Sequence, residues 1–347
     1  MIYKNFEIHG AAEIVEYPDG SVSWLRMPSD VADALDTDSS RQKLRVTTGV
    51  ELRFVIRSGN SATVTMSLDT EAERAYGHFH VYRGGIQGGW VDHEVDKTVD
   101  KTAHPFVIEA SKNIERLKVI SEKSGTSFSP EVVRIIFDGG RVRIHSIEGD
   151  VCPPDPSMLP KKTLLAYGSS ITHGSNSLTA SHAYPSLIAR ELDLDLINLG
   201  MAGTCRMEPA VADYIAKLGK EDKWHVALFE LGINVKSWTE AEARTRVTYF
   251  IKTVAESNPE KPILVVSPYC YFDDLFGNHE GVDMWRKLIP EVVSELGYDN
   301  VHTINGLDVL NDVGLISADE VHPSIYGVYR IAEVLTAQFK KILTVEK

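Results

Sequence analysis

The hydrophobic periodicity of this 347-residue chain changes near residue 160, and that change constrains its fold more than any other feature. From Lys161 onward, apolar runs that suit buried strands alternate with stretches that have helical spacing. The runs are TLLAY, LDLINL, WHVALFEL, PILVVS and VHTIN. Because alternating strands and helices form a parallel sheet covered on both faces, this half is predicted to have an α/β fold.

Before that change, apolar residues recur at every second position. In SATVTMSL, for example, Ala62, Val64 and Met66 fall on one face of a predicted strand. GVELRFVIRSGN ends in SGN and VVRIIFDGGRVRIHSI contains DGG, so both tripeptides are predicted to be hairpin turns. Several short strands at this spacing predict an all-β sandwich, jelly-roll-like in outline.

We therefore predict two domains. The sandwich spans residues 1–150 and the α/β domain spans residues 161–347, with a linker at 151–160 that contains four prolines. The length agrees, since a single hydrophobic core rarely grows beyond about 250–300 residues. Because a proline-rich linker is stiff, we expect the sandwich to keep a limited range of orientations and to contribute to substrate recognition.

Charge and cysteine content exclude several classes of protein. Lys and Arg total 36 against 49 Asp and Glu, a net charge of -13, which disfavours binding to nucleic acid or to an anionic membrane. Cys152, Cys205 and Cys270 are far apart, so neither a disulfide framework nor a structural zinc site is expected. The start, MIYKNFEIHG, lacks the pattern of a signal peptide, so a cytoplasmic location is expected. Homo-oligomerisation is left open.

Residues suited to acyl transfer follow the predicted strands of the α/β half. Ser170 comes after TLLAY, Gly203 after LDLINL and Asn234 after WHVALFEL. Asp319 and His322 follow the last strand and a loop. Taken singly, a serine here is usually a helix N-cap and an asparagine a turn residue. Together, at the edge of the sheet where ligands bind, they supply a nucleophile, a base, an orienting acid and oxyanion donors.

The stretches YGSSITHG, NLGMAGT, ELGIN and DEVHP resemble the four sequence blocks of the SGNH hydrolases, which are also called GDSL-type esterases and lipases. The resemblance spans residues 162 to about 340 and implies a flavodoxin-like three-layer α/β/α domain. It also implies that Ser170 is the nucleophile and that His322 is the general base, oriented by Asp319.

The same resemblance implies an oxyanion hole made of the main-chain N–H groups of Ser170 and Gly203 and the side chain of Asn234. The chain departs from the family pattern at Ser169, where members commonly carry Asp, and at Val235, where an Asp commonly follows the Asn. Neither position belongs to the triad. GSSIT instead resembles the subgroup whose SGNH domain follows an N-terminal β-sandwich, which agrees with the predicted layout.

One stretch of the N-terminal half carries further candidates for substrate binding, which are Tyr76, His78, His80, Tyr82 and Trp90. The first four, in YGHFHVY, fall on one face of a predicted strand. Two histidines at this spacing could bind a metal, but no third ligand is evident, so no metal site is predicted. A plain sandwich face, a carbohydrate-binding face and a wall of the esterase pocket are left open as interpretations.

The sequence thus predicts a serine esterase that uses a Ser-His-Asp triad and an acyl-enzyme. Its substrates would be short acyl esters, acetyl above all, of a carbohydrate or a small polyol, and it would need no cofactor. The alternative is an acyltransferase that uses the same triad to acylate a small-molecule hydroxyl. A third hypothesis is a glycan-binding protein that has lost its activity.

Overall fold

The computed structural model describes residues 1–72, 75–89, 97–277 and 280–345. The chain divides into two units. Unit 1 contains Met1–Ser29, Leu44–Lys161 and Asp193–Asp195, and unit 2 contains Asp30–Lys43, Lys162–Leu192 and Leu196–Lys347.

This division departs from the predicted boundaries at three places. Residues 30–43 group with unit 2, where the Asp36 carboxylate accepts hydrogen bonds from Arg206 (3.4 Å) and Arg246 (2.9 Å). Residues 193–195 group with unit 1. The predicted linker also belongs to unit 1, and within it the Met158 carbonyl accepts a hydrogen bond of 2.8 Å from Ser129 N–H.

Unit 1 is built on antiparallel strands. They are β1 (Ile2–Tyr3), β2 (Phe6–His9), β3 (Glu13–Glu16), β4 (Val22–Leu25), β5 (Glu51–Leu68), β6 (Tyr76–Arg83), β7 (Ile86–Gln87), β8 (Lys97–Asp100), β9 (His104–Glu109), β10 (Val132–Asp138) and β11 (Val142–Cys152). In the described part of the chain they are linked into one sheet in the order β3-β4-β11-β5-β10-β6-β7. β2 and β9 also pair with β5, β8 pairs with β6, and β1 pairs with β2.

Strand β5 organises this sheet, because its 18 residues pair with β2 and β10 near its start, with β9 near its end and with β11 along most of its length. Ala62, Val64 and Met66 are buried on it, as their spacing predicts. The hairpin predicted at SGN is wrong: β5 runs through it, with Gly59 at φ 82° and a register shift opposite that accommodates the extra residues. The hairpin predicted at DGG is also wrong, since β10 and β11 lie on either side of β5. The opposed layers of a sandwich stay a prediction.

Unit 2 contains a parallel sheet. Its strands are β12 (Thr163–Tyr167), β13 (Asp195–Asn198), β14 (Val226–Glu230), β15 (Ile263–Val266) and β16 (Val301–Ile304). Their order is β13-β12-β14-β15-β16, and the pairs β12–β14, β14–β15 and β15–β16 are parallel. This is the 2-1-3-4-5 order of a doubly wound sheet, so the predicted α/β fold is confirmed.

The helices of the described residues are α1 (Ser29–Asp33), α2 (Asp38–Lys43), α3 (Ile114–Ser124), α4 (Ser170–His173), α5 (Tyr184–Glu191), α6 (Pro209–Lys220), α7 (Glu240–Ser257), α8 (Asp273–Phe276), α9 (Glu280–Leu296), α10 (Gly306–Val309) and α11 (Ile325–Val345). In unit 2, α7 packs against α6 and α9, whereas α11 packs against α5 and α10. Two separate helix groups are what a three-layer arrangement requires. Among these helices, none has both the length and the apolar character that crossing a membrane would need.

Candidate active site

The loop after β12 carries Ser170 on a tight turn into the short helix α4. Ser169 caps that helix, since its Oγ accepts a hydrogen bond from Ile171 N–H at 3.2 Å. A Cβ added at Gly168 would lie 2.2 Å from Thr172 Oγ1 and 2.9 Å from the Glu230 carbonyl, so only glycine fits there. Ser170 is therefore held at the carboxyl end of the strand, on the first turn of a helix.

Ser170, His322 and Asp319 form a continuous chain of hydrogen bonds. His322 Nε2 lies 2.7 Å from Ser170 Oγ, and His322 Nδ1 lies 2.7 Å from Asp319 Oδ2. Because a carboxylate only accepts, Nδ1 carries the proton and a neutral imidazole leaves Nε2 as an acceptor facing the serine hydroxyl. The three residues are thus arranged so that a proton can pass from Ser170 to His322.

Asp319 receives several further hydrogen bonds. Its Oδ1 accepts from His322 N–H (2.9 Å), from Val321 N–H (3.1 Å) and from Ser317 Oγ (2.8 Å). Burial alone would raise the pKa of Asp319, but the hydrogen bonds of its main-chain and side-chain partners outweigh it and hold that pKa well below its usual range. The carboxylate beside His322 is therefore ionised at any pH near neutral.

Asn176 is a partner of Asp319 that sequence reasoning missed. Its Nδ2 donates to Asp319 Oδ2 at 2.7 Å and to Ser317 Oγ at 3.0 Å. Asn176 lies in the left-handed region at φ 62°, which asparagine tolerates better than most residues. An Asn in the loop directly after the first block was the only available signal, and nothing in it points to a partner 143 residues away.

The predicted oxyanion residues follow the two strands that flank β12. Gly203 follows β13 and has φ 73°, and Asn234 follows β14. Met201 N–H donates to the Gly168 carbonyl at 2.8 Å, which ties the loop of Gly203 to the loop of Ser170.

The orientation of the Asn234 side chain is set by one contact. Its Oδ1 accepts a hydrogen bond from Cys205 N–H at 3.0 Å, so the amide oxygen is occupied and Nδ2 is the donor that remains. The structure thus places these residues at the same sheet edge as Ser170, and their roles stay predictions.

Glu230, the last residue of β14, is a second residue that the sequence analysis did not single out. Its side chain is fully buried, and its Oε2 accepts from Ser169 N–H (2.8 Å), Ser169 Oγ (2.6 Å) and Thr172 Oγ1 (3.1 Å). Burial raises the pKa of Glu230 to about 7, although these hydrogen bonds oppose the shift. A carboxyl at the end of the apolar run WHVALFEL was a signal that could have drawn attention to it.

The candidates of unit 1 separate into different environments. Tyr76 and His78 are exposed on β6 and their rings meet edge to face at 5.6 Å. His80 is buried, and its Nε2 lies 2.6 Å from Asp138 Oδ2, while Tyr82 is half-buried with the Arg134 guanidinium 5.8 Å from its ring.

Tyr76 and His78 are therefore open to solvent, whereas the side chain of His80 is withdrawn from it. Trp90, the fifth candidate, lies outside the described residues. Within those residues, no group of three or more His, Cys, Asp or Glu side chains is arranged to hold a metal ion.

Sequence comparison identifies a family for the C-terminal half. The model of the GDSL-like Lipase/Acylhydrolase family matches residues 161–340, a range that includes β12 to β16 and the hydrogen-bonded residues around Ser170. None of the curated proteins matches this chain.

Several solved structures share the fold over nearly the whole chain. The salicylyl-acyltransferase SsfX3 from a tetracycline biosynthetic pathway has a TM-score of 0.75 at 18% identity, with 98% of this chain and 95% of that chain covered. A family two carbohydrate esterase from Cellvibrio japonicus has a TM-score of 0.61 at 15% identity, with 98% and 96% covered. An acetyl xylan esterase from Butyrivibrio proteoclasticus has a TM-score of 0.56 at 11% identity, with 99% and 97% covered. At these identities the similarity shows the fold alone.

Proposed function

Because this chain belongs to the GDSL-like lipase/acylhydrolase family and is an ester-hydrolysing enzyme, we propose that it removes short acyl groups, acetyl above all, from a carbohydrate or a small polyol. The observation that carries this proposal is the hydrogen-bonded chain from Ser170 Oγ through His322 to Asp319. It supplies a nucleophile with a base in reach and an acid that orients the base.

In the proposed mechanism, Ser170 Oγ attacks the ester carbonyl carbon while His322 Nε2 takes the hydroxyl proton. The ester C–O bond then breaks, His322 gives the proton to the departing alcohol, and the acyl group stays on Ser170. Water attacks this acyl-enzyme, again losing a proton to His322, which returns it to Ser170 as the carboxylic acid leaves. Asp319 remains ionised throughout and stabilises the imidazolium.

The oxyanion of each tetrahedral intermediate needs fixed donors. We assign the main-chain N–H groups of Ser170 and Gly203 and the Nδ2 of Asn234 to this role. The hydrogen bond from Cys205 to Asn234 Oδ1 supports the assignment, because it holds the amide in one orientation before substrate arrives. Donors that need no reorganisation are worth roughly 3 kcal/mol each in such sites.

The substrate class is supported by two observations. Structures of the same fold are named as carbohydrate esterases and as an acetyl xylan esterase. In addition, the side chains of His322 and Asp319 are 23% and 42% exposed, so the general base is open to a bulky alcohol portion. An accessible base suits an ester whose acyl group is small and whose alcohol is a sugar or polyol.

Acyl transfer is the second candidate function, because a salicylyl-acyltransferase shares the fold at the highest TM-score of the three structures above. In that reaction a hydroxyl of an acceptor molecule replaces water in the second half of the mechanism. The geometry around Ser170 serves both reactions equally, so the acceptor decides between them.

The experiment supplies the full chain with p-nitrophenyl acetate and with acetylated methyl glycosides, with and without free glycoside as acceptor. We expect free acetate to be the main product at all acceptor concentrations. Transfer product that rises with acceptor at the expense of acetate would establish acyl transfer instead. Ser170→Ala is the control for non-enzymatic hydrolysis, and equal acetate release by this variant and the wild type would contradict both functions.

A further inference from the structure

Glu230 is a fully buried carboxyl group that the proposed mechanism does not use. In the described part of the chain, its Oε1 is buried without a hydrogen-bond partner. Burying a carboxyl group in this way is costly, so a chain without need of it would be expected to carry an apolar residue at the end of β14.

Within the residues that the structure describes, the hydrogen bonds of the Glu230 carboxyl group go to the turn that carries Ser170. Oε2 accepts from the main chain and the hydroxyl of Ser169, directly before the serine, and from the hydroxyl of Thr172, two residues after it. Thr172 Oγ1 also lies 2.6 Å from Tyr184 Oη, which holds it from the other side. One carboxyl oxygen thus fastens both ends of the segment in which Ser170 sits.

The backbone around this carboxyl group is shaped to admit it. A Cβ at Gly168 would lie 2.9 Å from Glu230 Oε2, so the glycine allows the carboxyl to approach the turn. Ser169 Oγ donates to Oε2 and accepts from Ile171 N–H at 3.2 Å. The Ser169 hydroxyl therefore links the Glu230 carboxyl group to the first turn of α4.

We propose that Glu230 is a positioning residue that sets the orientation of Ser170 by holding Ser169 and Thr172. Its carboxyl group lies on the neighbouring strand and contacts Ser169, the residue directly before the serine. The proposal rests on the proposed role of Ser170 as nucleophile. The raised pKa of Glu230, about 7, agrees with a carboxyl group that is held by geometry and not by a cation.

The test moves the carboxyl group between the two positions. Glu230→Ala, Glu230→Gln and the double variant Ser169→Asp/Glu230→Ala are compared with the wild type on p-nitrophenyl acetate, together with the rate at which a fluorophosphonate labels Ser170. We expect Glu230→Ala to lower kcat and the labelling rate by roughly 10²-fold with little change in KM, because a small misplacement of a nucleophile has that effect. Glu230→Gln keeps one acceptor oxygen and should lose less. The double variant should recover at least about tenfold over Glu230→Ala.

The matched control is Glu208→Gln in the same unit. Glu208 is also buried and has a raised pKa, and within the part of the chain that the structure describes neither of its carboxyl oxygens has a hydrogen-bond partner, Ser169 and Thr172 included. We expect its kcat to stay within about twofold of the wild type, since it is independent of the turn.

The outcomes separate the two proposals. If the Glu230 variants melt earlier but retain wild-type kcat and labelling rate per folded molecule, Glu230 is only structural and the inference is wrong. If the folded double variant recovers nothing over Glu230→Ala, the exchange of carboxyl positions is refuted. If Glu230→Ala does not fold, kcat and the labelling rate of the double variant and of Glu230→Gln are compared with those of the wild type instead. If Ser170→Ala itself retains full activity, the proposed function fails, and that result is independent of position 230.

Discussion

Two carboxyl groups are hydrogen-bonded around Ser170, and they lie in opposite surroundings. Asp319 is partly exposed and accepts hydrogen bonds on both oxygens, including one from His322 Nδ1. Glu230 is fully buried, and among the described residues its Oε2 accepts hydrogen bonds while its Oε1 has no partner. The same chemical group therefore has many donors and partial solvent exposure in one place, and few donors and full burial in the other.

The difference shows in the direction of the pKa shifts. Hydrogen bonds outweigh burial at Asp319 and lower its pKa, whereas burial outweighs hydrogen bonds at Glu230 and raises its pKa to about 7. Sites that push two acids apart in this way give them different tasks. A permanently charged Asp319 suits stabilisation of an imidazolium, and a Glu230 that is readily neutral suits a role in holding a turn.

The largest effect on kcat is expected from replacing Ser170, around which both carboxyl groups are hydrogen-bonded. Ser170→Ala deletes the proposed nucleophile, and loss of a triad serine lowers kcat by about 10⁶-fold. The measurement is acetate release from p-nitrophenyl acetate, with the melting temperature as control for folding. Fluorophosphonate labelling should map to Ser170 and not to Ser169. A clean preparation that retains several per cent of wild-type turnover would contradict the assignment.

The next largest effect should come from Asp319→Asn, which removes the charge but keeps the shape. An amide that donates to His322 Nδ1 would favour the wrong tautomer, and such a change lowers kcat by about 10⁴-fold in triads. Ester hydrolysis at pH 8 checks this. If kcat of Asp319→Asn falls no further than kcat of Glu230→Ala, the two carboxyl groups are equivalent. That result would contradict the different roles proposed for them.

Asn234→Ala tests the proposed oxyanion donor, which is a neutral amide and not a carboxyl group. If Asn234 donates to the oxyanion, kcat should fall by roughly 10²–10³-fold with little change in melting temperature. If Asn234 only shapes the turn through Cys205, the variant should melt earlier while kcat per folded molecule stays at the wild-type value. Paired kinetics and thermal unfolding of one preparation distinguish the two results.

The places of Ser170, Gly203 and Asn234 in the fold could be predicted from the sequence because they are tied to local signals, and their roles stay predictions. Each of the three follows a strand run within a few residues, and each block of residues is short and contiguous. Asn176 and Glu230 could not be predicted, since their roles depend on partners 143 and 61 residues away. No periodicity encodes such contacts.

The two units of the fold also differ in how well their structure could be predicted from the sequence. Alternating strands and helices predict a parallel sheet with little ambiguity, because consecutive parallel strands need a crossover. Unit 1 is harder, since an antiparallel strand can pair with any neighbour of matching pattern. β5 is long enough to pair with both β10 and β11, so the turns SGN and DGG looked like hairpins in the sequence and are not. Residues 30–43 belong to unit 2 through ion pairs of Asp36 that no local pattern reveals.

A smaller effect is expected from weakening the donors around Asp319. Asn176→Ala removes one hydrogen bond to Oδ2, and a bond to a charged group is worth about 1.5–3 kcal/mol when it is not replaced. Because Asp319 is partly exposed, water replaces part of it, and we expect kcat/KM to fall about tenfold. Asn176→Gly is the matched control for the left-handed backbone. Equal decreases in both variants support the side-chain contact, and wild-type kcat/KM in both contradicts it.

The smallest effect is on the pH dependence of stability, and it again separates the two carboxyl groups. The pKa of Glu230 is raised from 4.5 to about 7 in the folded state, so folding favours its protonated form. Its contribution is fully present below the unfolded pKa and is lost as the pH rises through about 7. Asp319, with a lowered pKa, behaves in the opposite sense: its contribution is fully present above its unfolded pKa and is lost only as the pH falls below that value. We therefore expect the melting temperature of Glu230→Gln, relative to wild type, to rise between pH 4.5 and 7 and to level off above. If the melting temperatures of the two proteins differ by the same amount at every pH from 4 to 9, Glu230 does not titrate in this range.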